Sequence, residues 1–327
     1  MMRMTVLASG SKGNSSVISS SRTRVLVDAG LSCRELTRRM ALAGEDPAAL
    51  DAIIITHEHQ DHVAGLGVMA RKLGIPVYFT EPTHRAWVRM MTPRRTLSYA
   101  AWLDQMQREK EERARAAAGM GEPGICDSMS AAVESADGSA IEDPDEPETT
   151  GPSRTKPDPA FLPAVEYFHS GRQFSIGDIE VTPFTIPHDA ADPCGFVFAA
   201  EGARMAVATD LGYMPPNVKA ALKRIDVLLL ESNHDLEMLK DGPYPWSVKQ
   251  RVLSRVGHLS NLATAEFLSQ DYDGTASFIV LGHLSESNNA PELARLAAEQ
   301  ALSCHPKLLG NRILLAEQSS PLESICL

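Results

Sequence analysis

The sequence predicts a layered α/β fold, and two observations carry that expectation. Short apolar, β-branched runs alternate with segments of helical periodicity along the 327 residues, the pattern of sheets covered by helices. Residues able to bind metal recur directly behind those runs, so the chemistry sits where strands end. At 43% hydrophobic the chain can bury a sizeable core, and a single domain over residues 1–327 is expected.

Taken in order, residues 4–8 read as a strand followed by a loop of small residues, SGSKGNSS, in which Lys12 beside glycines resembles a phosphate loop. GxxxxGK[ST] is not satisfied, so a Walker motif is excluded. The backbone amides there could still form an anion-binding nest, or the loop could be an ordinary hairpin connection. Residues 16–19 and 24–28 are the next strands, and Ser32 caps a helix reaching residue 43. Asp28 ends its strand either as a carboxylate behind metal histidines or as a turn former.

Residues 51–56 form a buried strand that runs into THEHQDH, placing His57, His59, Asp61 and His62 within six positions. Alternation in an extended segment sends His57 and His59 to one side, with Asp61 and His62 in the following turn. Imidazole and carboxylate suit Zn, Mn or Fe. HExxH is excluded because position 61 is Asp61.

A helix over 62–73, a strand over 76–79 and a helix over 82–103, interrupted at Pro93, come next. Residues 104–160 then break the alternation. They hold 14 Asp or Glu and 6 Lys or Arg, a net of −8 out of the chain's −11. From 121 on they are too poor in apolar residues to offset their ordering entropy, which predicts a disordered insertion or an acidic docking segment. Elsewhere the balance is only −3, so net charge does not exclude a nucleic-acid partner.

Order resumes near residue 165, with a hairpin turn at Gly177-Asp178. Strands are expected over 195–200, 204–209, 225–231 and 277–281, and helices over 246–255, 262–269 and 291–303. Three further strand ends carry ligand-type residues: His188, Asp210 and His283. His258 precedes a helix that Ser260 or Asn261 can cap. A His at a helix N-terminus suits holding a phosphate and protonating a leaving alkoxide. Substrate contacts are expected from Ser11, Lys12, Asn14, Asn233, His234, Ser260 and Asn261. His84, His169 and His305 lack ligand context.

The five Cys (33, 126, 194, 304 and 326) are odd in number and lack CxxC, which argues against a disulfide framework or thiolate site. No run of 18 apolar residues occurs, and the opening MMRMTVLASG has no signal-peptide core. A cytoplasmic protein without a membrane partner is expected.

HEHQDH matches HxHxDH, and the order HxHxDH, His, Asp, His resembles the metallo-β-lactamase fold superfamily. The blocks ASGSKGNSS, LVDAGLS, THEHQDHVAGLGVMARK, ESNHD, YPWSVKQRVLSRVGHLSN and LGHLSESNNAPELARLAAEQ are similar to its WalJ/YycJ group. The resemblance implies an αββα four-layer sandwich holding two divalent metal ions, Zn or Mn. One ion would take His57, His59 and His188, the other Asp61, His62 and His283, with Asp210 bridging. It also implies phosphodiester hydrolysis, as a 5′-to-3′ exonuclease on DNA in repair, with Asp61 and His258 catalytic. The 104–160 insertion departs from the group, and the 73 positions from Asp210 to His283 are too few for the extra nucleic-acid domain of β-CASP nucleases. A small-molecule hydrolase of the same fold, cleaving a thioester, lactone or cyclic phosphate, is the alternative. A non-enzymatic binding module is disfavoured because no metal position is missing.

Deleting residues 121–159 is expected to leave fold and hydrolysis largely intact, since the segment has no core pattern. Thermal unfolding and activity on short DNA check this, and a large loss in either contradicts it.

Overall fold

Strands form wherever a short apolar run is bounded by turn residues, and they assemble into two sheets. The computed structural model describes residues 1–92, 106–108, 110, 158–303 and 311–327. Residues Met1–Thr92 and Asp158–Leu327 form one compact unit. The expected insertion and the helix expected beyond residue 92 lie almost wholly outside the described residues, as does His305.

The first sheet contains β1 (Arg3–Ala8), β2 (Ser15–Ser19), β3 (Arg24–Val27), β4 (Ala52–Ile54), β5 (Pro76–Phe79) and β6 (Ala164–Tyr167). The second contains β7 (Phe174–Ile176), β8 (Ile179–Thr185), β9 (Cys194–Ala200), β10 (Ala203–Ala208), β11 (Val227–Glu231), β12 (Phe278–Gly282) and β13 (Arg312–Leu315). A short β14 (Ile325–Cys326) returns to pair with β1, so the orders are β14-β1-β2-β3-β4-β5-β6 and β13-β12-β11-β10-β9-β8-β7.

Both sheets repeat one plan. Antiparallel neighbours lead into a parallel run, β3-β4-β5-β6 in the first and β10-β11-β12-β13 in the second. Parallel pairing needs long crossovers, which is where helices enter. They are α1 (Cys33–Leu42), α2 (Gln60–Val63), α3 (Leu66–Leu73), α4 (Glu81–Met91), α5 (Pro216–Ala221), α6 (Leu236–Asp241), α7 (Trp246–Val252), α8 (Asn261–Gln270) and α9 (Pro291–Ser303).

Alternation along the strands divides the apolar residues into three layers. Met205, Val207 and Val280 face inward against Met4, Val25 and Ile54 of the opposite sheet. Their neighbours Ala206, Ile279 and Leu281 face outward onto Phe267, Leu268 and Ala298 of α8 and α9. On the other outer side Leu26, Ile53 and Val77 pack beneath Leu36, Met69 and Trp87 of α1, α3 and α4. This is the αββα sandwich. No helix among the described residues is long and apolar enough to cross a membrane.

Three differences from the sequence reading have physical causes. The helix expected over 62–73 is two helices, because Gly65 N–H donates to Ala29 O (2.8 Å). A Cβ at Gly65 would lie 2.1 Å from Leu31 O, so the chain crosses too closely there for a continuous helix. The helix expected over 246–255 stops at Val252, and the following turn is closed by Gly257 and His258 N–H groups on Ser254 and Val252 carbonyls. The short elements α5, α6, β13 and β14 carry too few residues to show a period.

All the parallel strands of the second sheet end at one edge, and there the sheets are joined by the Cys194 N–H to Thr56 O bond (3.0 Å). At the same edge Gly30 lets three segments meet: an added Cβ would lie 1.6 Å from Asp61 O and 2.6 Å from Asn14 N. Gly30→Ala is therefore expected to push the 57–62 loop outward, destabilise by about 3 kcal/mol or more, and lower metal content. Melting temperature and metal analysis test it; wild-type values for both would contradict the close approach.

Candidate metal centre

The strand ends converge on one cluster. His57 and His59 follow β4 and His188 follows β8, and one ligand atom from each lies within 4.8 Å of the others. His57, His62 and Asp210 form a second such group, and Asp210, Glu231, His258 and His283 a third. Asp61 Oδ2 joins them, 3.6 Å from His62 Nε2 and 3.7 Å from His283 Nε2.

Hydrogen bonds at the far ring nitrogens decide which atoms face inward. His62 Nδ1 meets Asp28 Oδ2 at 2.8 Å, leaving Nε2 3.3 Å from Asp210 Oδ2. His188 Nδ1 donates to Gly257 O (3.1 Å), which turns Nε2 toward His59 Nδ1 at 3.2 Å. His283 Nδ1 meets Glu231 Oε1 at 2.9 Å. Thr56 lies between Asp28 Oδ2 (2.8 Å) and His57 Nδ1 (3.0 Å). A carboxylate or carbonyl behind His62, His188 and His283, with a hydroxyl behind His57, is the kind of arrangement that orients metal-binding histidines.

The donor set fits divalent metal. His57 Nε2, His283 Nε2 and Asp210 Oδ2 are buried with no hydrogen-bond partner, and unpaired buried polar atoms are rare and costly. All three belong to the groups above and are ligand types for Zn or Mn.

The charges of the cluster shift its pKa values in opposite directions. Burial opposes protonation of His62, but the Asp210, Asp28 and Asp61 carboxylates raise it to about 9. His283 is likewise raised well above the usual range, burial being outweighed by Asp210, Asp61 and Glu231. His57, among imidazoles, is held well below it by burial and by their charges. Asp61 and Glu231 are held far below the carboxylate range; burial works against this, and His62 and His283 outweigh it for Asp61, His258 and His283 for Glu231. Burial raises Asp28.

Three residues at this edge have left-handed backbone without being glycine: Asp28 (φ 59°), Asp210 (φ 63°) and His283 (φ 55°). Such conformations concentrate at functional sites. Each sits at a strand end, where the left-handed turn brings the side chain into the cluster.

The model of the Metallo-beta-lactamase superfamily matches residues 8–248. The chain belongs to that superfamily. Exodeoxyribonuclease WalJ of Streptococcus pneumoniae serotype 2 is 32% identical over 301 residues, covering 92% of this chain and 88% of that one. Exodeoxyribonuclease YycJ of Bacillus anthracis is 31% identical over 301 residues, with 92% and 89% covered. Among solved structures, the metallo-beta-lactamase fold protein YhfI of Bacillus subtilis is similar in fold, with a TM-score of 0.58 at 14% identity over 99% of this chain and 100% of that one.

Within this superfamily fold the remaining sequence candidates separate into rim and framework. Ser11 and Lys12 are exposed, and Lys12 Nζ pairs with Glu286 at 2.6 Å. Asn14 is buried, its Nδ2 3.2 Å from Asp61 Oδ2 and 3.0 Å from His62 Nε2 while its Oδ1 accepts from Gly10 N–H. Asn233 Nδ2 donates to His283 O, Ser260 Oγ caps α8 through Ala263 N–H, and Asn261 bridges Ser232 and Asn289. His234 is buried with both ring nitrogens unpartnered, and burial lowers it to about 4. His84 packs on Phe79 and bonds Tyr167, and His169 is exposed.

Glu231 is the buried carboxylate of the cluster that the sequence reading left without a role. It is fully buried, and its carboxylate takes His258 Nδ1 (2.8 Å), His283 Nδ1, Leu211 N–H (2.5 Å) and Leu259 N–H (3.3 Å). The signal was a lone carboxylate closing the apolar run VLLLE.

Zinc binding is expected to release protons and to weaken as pH falls below about 9, because His62 and His283 must deprotonate to become ligands. The loss is up to about tenfold per pH unit for each displaced proton. Calorimetric titration in buffers of different ionisation heat measures it; an affinity constant from pH 6 to pH 9 would contradict it.

Proposed function

We propose that the chain is a metal-dependent phosphodiesterase on nucleic acid, a 5′-to-3′ DNA exonuclease serving DNA repair. The observation that carries this reading is the position of His258. Its Nδ1 is held by Glu231 at 2.8 Å, its ring centroid is 5.2 Å from that of His188 and 5.0 Å from that of His283, and it retains 21% side-chain exposure. A half-open imidazole with one nitrogen fixed by a buried carboxylate presents Nε2 as a proton donor. A departing alkoxide needs that proton; thioester hydrolysis does not. The names of the two curated relatives point the same way.

Two divalent cations, Zn or Mn, are assigned to the cluster. His57, His59 and His188 would hold one, and Asp61, His62 and His283 the other. Asp210 would bridge, since its Oδ2 is 3.3 Å from His62 Nε2 and its Oδ1 3.9 Å from His188 Nε2. Glu231 has its oxygens engaged by four donors and serves as orienter rather than ligand. When bound, such a pair lowers the pKa of a shared water and stabilises both the attacking and the leaving oxygen. Of the chain's own groups, Asp61 orients the attacking water and exchanges a proton with it, steadied by the Asn14 amide. His258 protonates the leaving oxygen, and Glu231 holds its Nδ1 and so fixes the direction of its ring.

Products from 5′- and 3′-labelled DNA and RNA, with Mn or Zn supplied, test substrate and polarity. Release from the 5′ end of DNA is expected; hydrolysis of thioesters or cyclic phosphates with no nucleic acid cut would favour the small-molecule alternative. His258→Ala should keep its metals yet lose about 10² to 10⁴ in kcat on DNA. The loss should be much smaller on bis(p-nitrophenyl) phosphate, whose leaving group needs little protonation. Equal losses on both substrates would remove the general-acid role.

A further inference from the structure

One guanidinium group lies beside His188 at the border of the centre, and a second follows it on the next segment. Arg251, in the last turn of α7, is 61% exposed, and its Nε donates to Asp189 Oδ2 at 2.5 Å. Asp189 in turn reaches His188, its Oδ1 3.4 Å from His188 Nε2. The segment after α7 wraps this turn, since Val256 O accepts from Asp189 N–H (3.1 Å) and Gly257 O from His188 Nδ1. On that segment Arg255 is exposed, its guanidinium 4.4 Å from the Tyr213 ring centroid. It has no carboxylate partner among the described residues, and Tyr213 lies three positions after Asp210.

An ion pair as exposed as Arg251–Asp189 adds little to stability. Its location is more informative. The Asp189 hydrogen bond is the main reason the Arg251 pKa is raised, and the Asp61 carboxylate adds to it, so this cation lies in reach of the cluster's own charges. Guanidinium is planar and always charged, and its fork matches two phosphate oxygens.

We propose that Arg251 and Arg255 bind backbone phosphates of the substrate strand next to the one being cleaved, with Arg251 exchanging Asp189 for phosphate as the strand arrives. The inference rests on the phosphodiesterase reading above. Asp189 then acts as a placeholder that keeps the guanidinium extended beside the centre. Tyr213 holds Arg255 in the same way through its ring face.

The test is binding of the metal-loaded enzyme to a fluorescent, phosphorothioate-linked single-stranded DNA across a salt series, with cleavage of the unmodified strand measured alongside. Each lost phosphate contact should flatten the slope of log affinity against log salt by about 0.7, so the Arg251→Ala, Arg255→Ala double variant should lose about 1.4. The same relation gives a weakening of about 25-fold at 0.1 M salt. Arg251→Lys should keep most of the slope. Asp189→Ala should tighten binding, because it frees Arg251 and removes a negative charge. Metal content and melting temperature are measured for each variant. A salt slope unchanged in the double variant overturns the proposal. So does an Asp189→Ala variant that weakens binding in step with Arg251→Ala, the result a purely structural pair would give. If the wild-type enzyme neither binds nor cuts DNA, the phosphodiesterase reading falls and this inference with it; if it cuts DNA while the slopes match, only this inference falls.

Discussion

The four buried imidazoles of the ligand groups each lean on a hydrogen-bond partner behind them. His62 has Asp28, His283 has Glu231, His188 has the Gly257 carbonyl and His57 has Thr56. Withdrawing so many titratable groups from water is costly unless each is paired, and removing one member of a buried pair typically costs about 3 to 5 kcal/mol. The loops at this edge follow from that requirement. Asp28 has to sit under the 56–62 loop, which draws the end of β3 against β4. Gly30 and Gly65 allow the backbone to pass close enough for it to do so.

Glu231 ties the two parts of the chemistry together. One of its oxygens is shared by His258 and His283, so the proposed proton donor and a ligand-type histidine are oriented by one carboxylate. The other oxygen is fixed by the Leu211 and Leu259 backbone amides. The donor is thereby positioned from the second sheet itself and not from the mobile end of a side chain. Asn14 plays a comparable part from the first sheet, touching Asp61 and His62.

Much of this was legible because strand ends announce themselves. HEHQDH follows a β-branched run, and His188, Asp210 and His283 each stand behind an apolar segment, so residue type and position coincide. What stayed hidden depends on pairing between distant segments. Glu231 resembles any carboxylate that ends a strand until His258 and His283 are brought to it. Asn233 and Asn261 looked like substrate contacts because they neighbour the chemistry in sequence, whereas their amides bond to His283 O, Ser232 and Asn289. Arg251 lies inside the YPWSVKQRVLSRVGHLSN block, but nothing there marks it, since its place beside His188 is created by the wrapping of residues 254–257. The repeated sheet plan was also invisible, because strand order is set by crossovers and not by any local pattern.

The left-handed backbone at Asp28, Asp210 and His283 governs how these positions can be interrogated. A conformation of this kind costs about 1 to 3 kcal/mol at a residue other than glycine, and Asp and Asn bear it most easily. Exchanging Asp for Asn at 28 or 210 keeps side-chain shape and backbone preference, so the change isolates charge. A β-branched residue there would distort the strand end as well, and its effect on activity would mix geometry with chemistry. The backbone, rather than the reaction, decides which substitutions at this edge can be read as statements about mechanism.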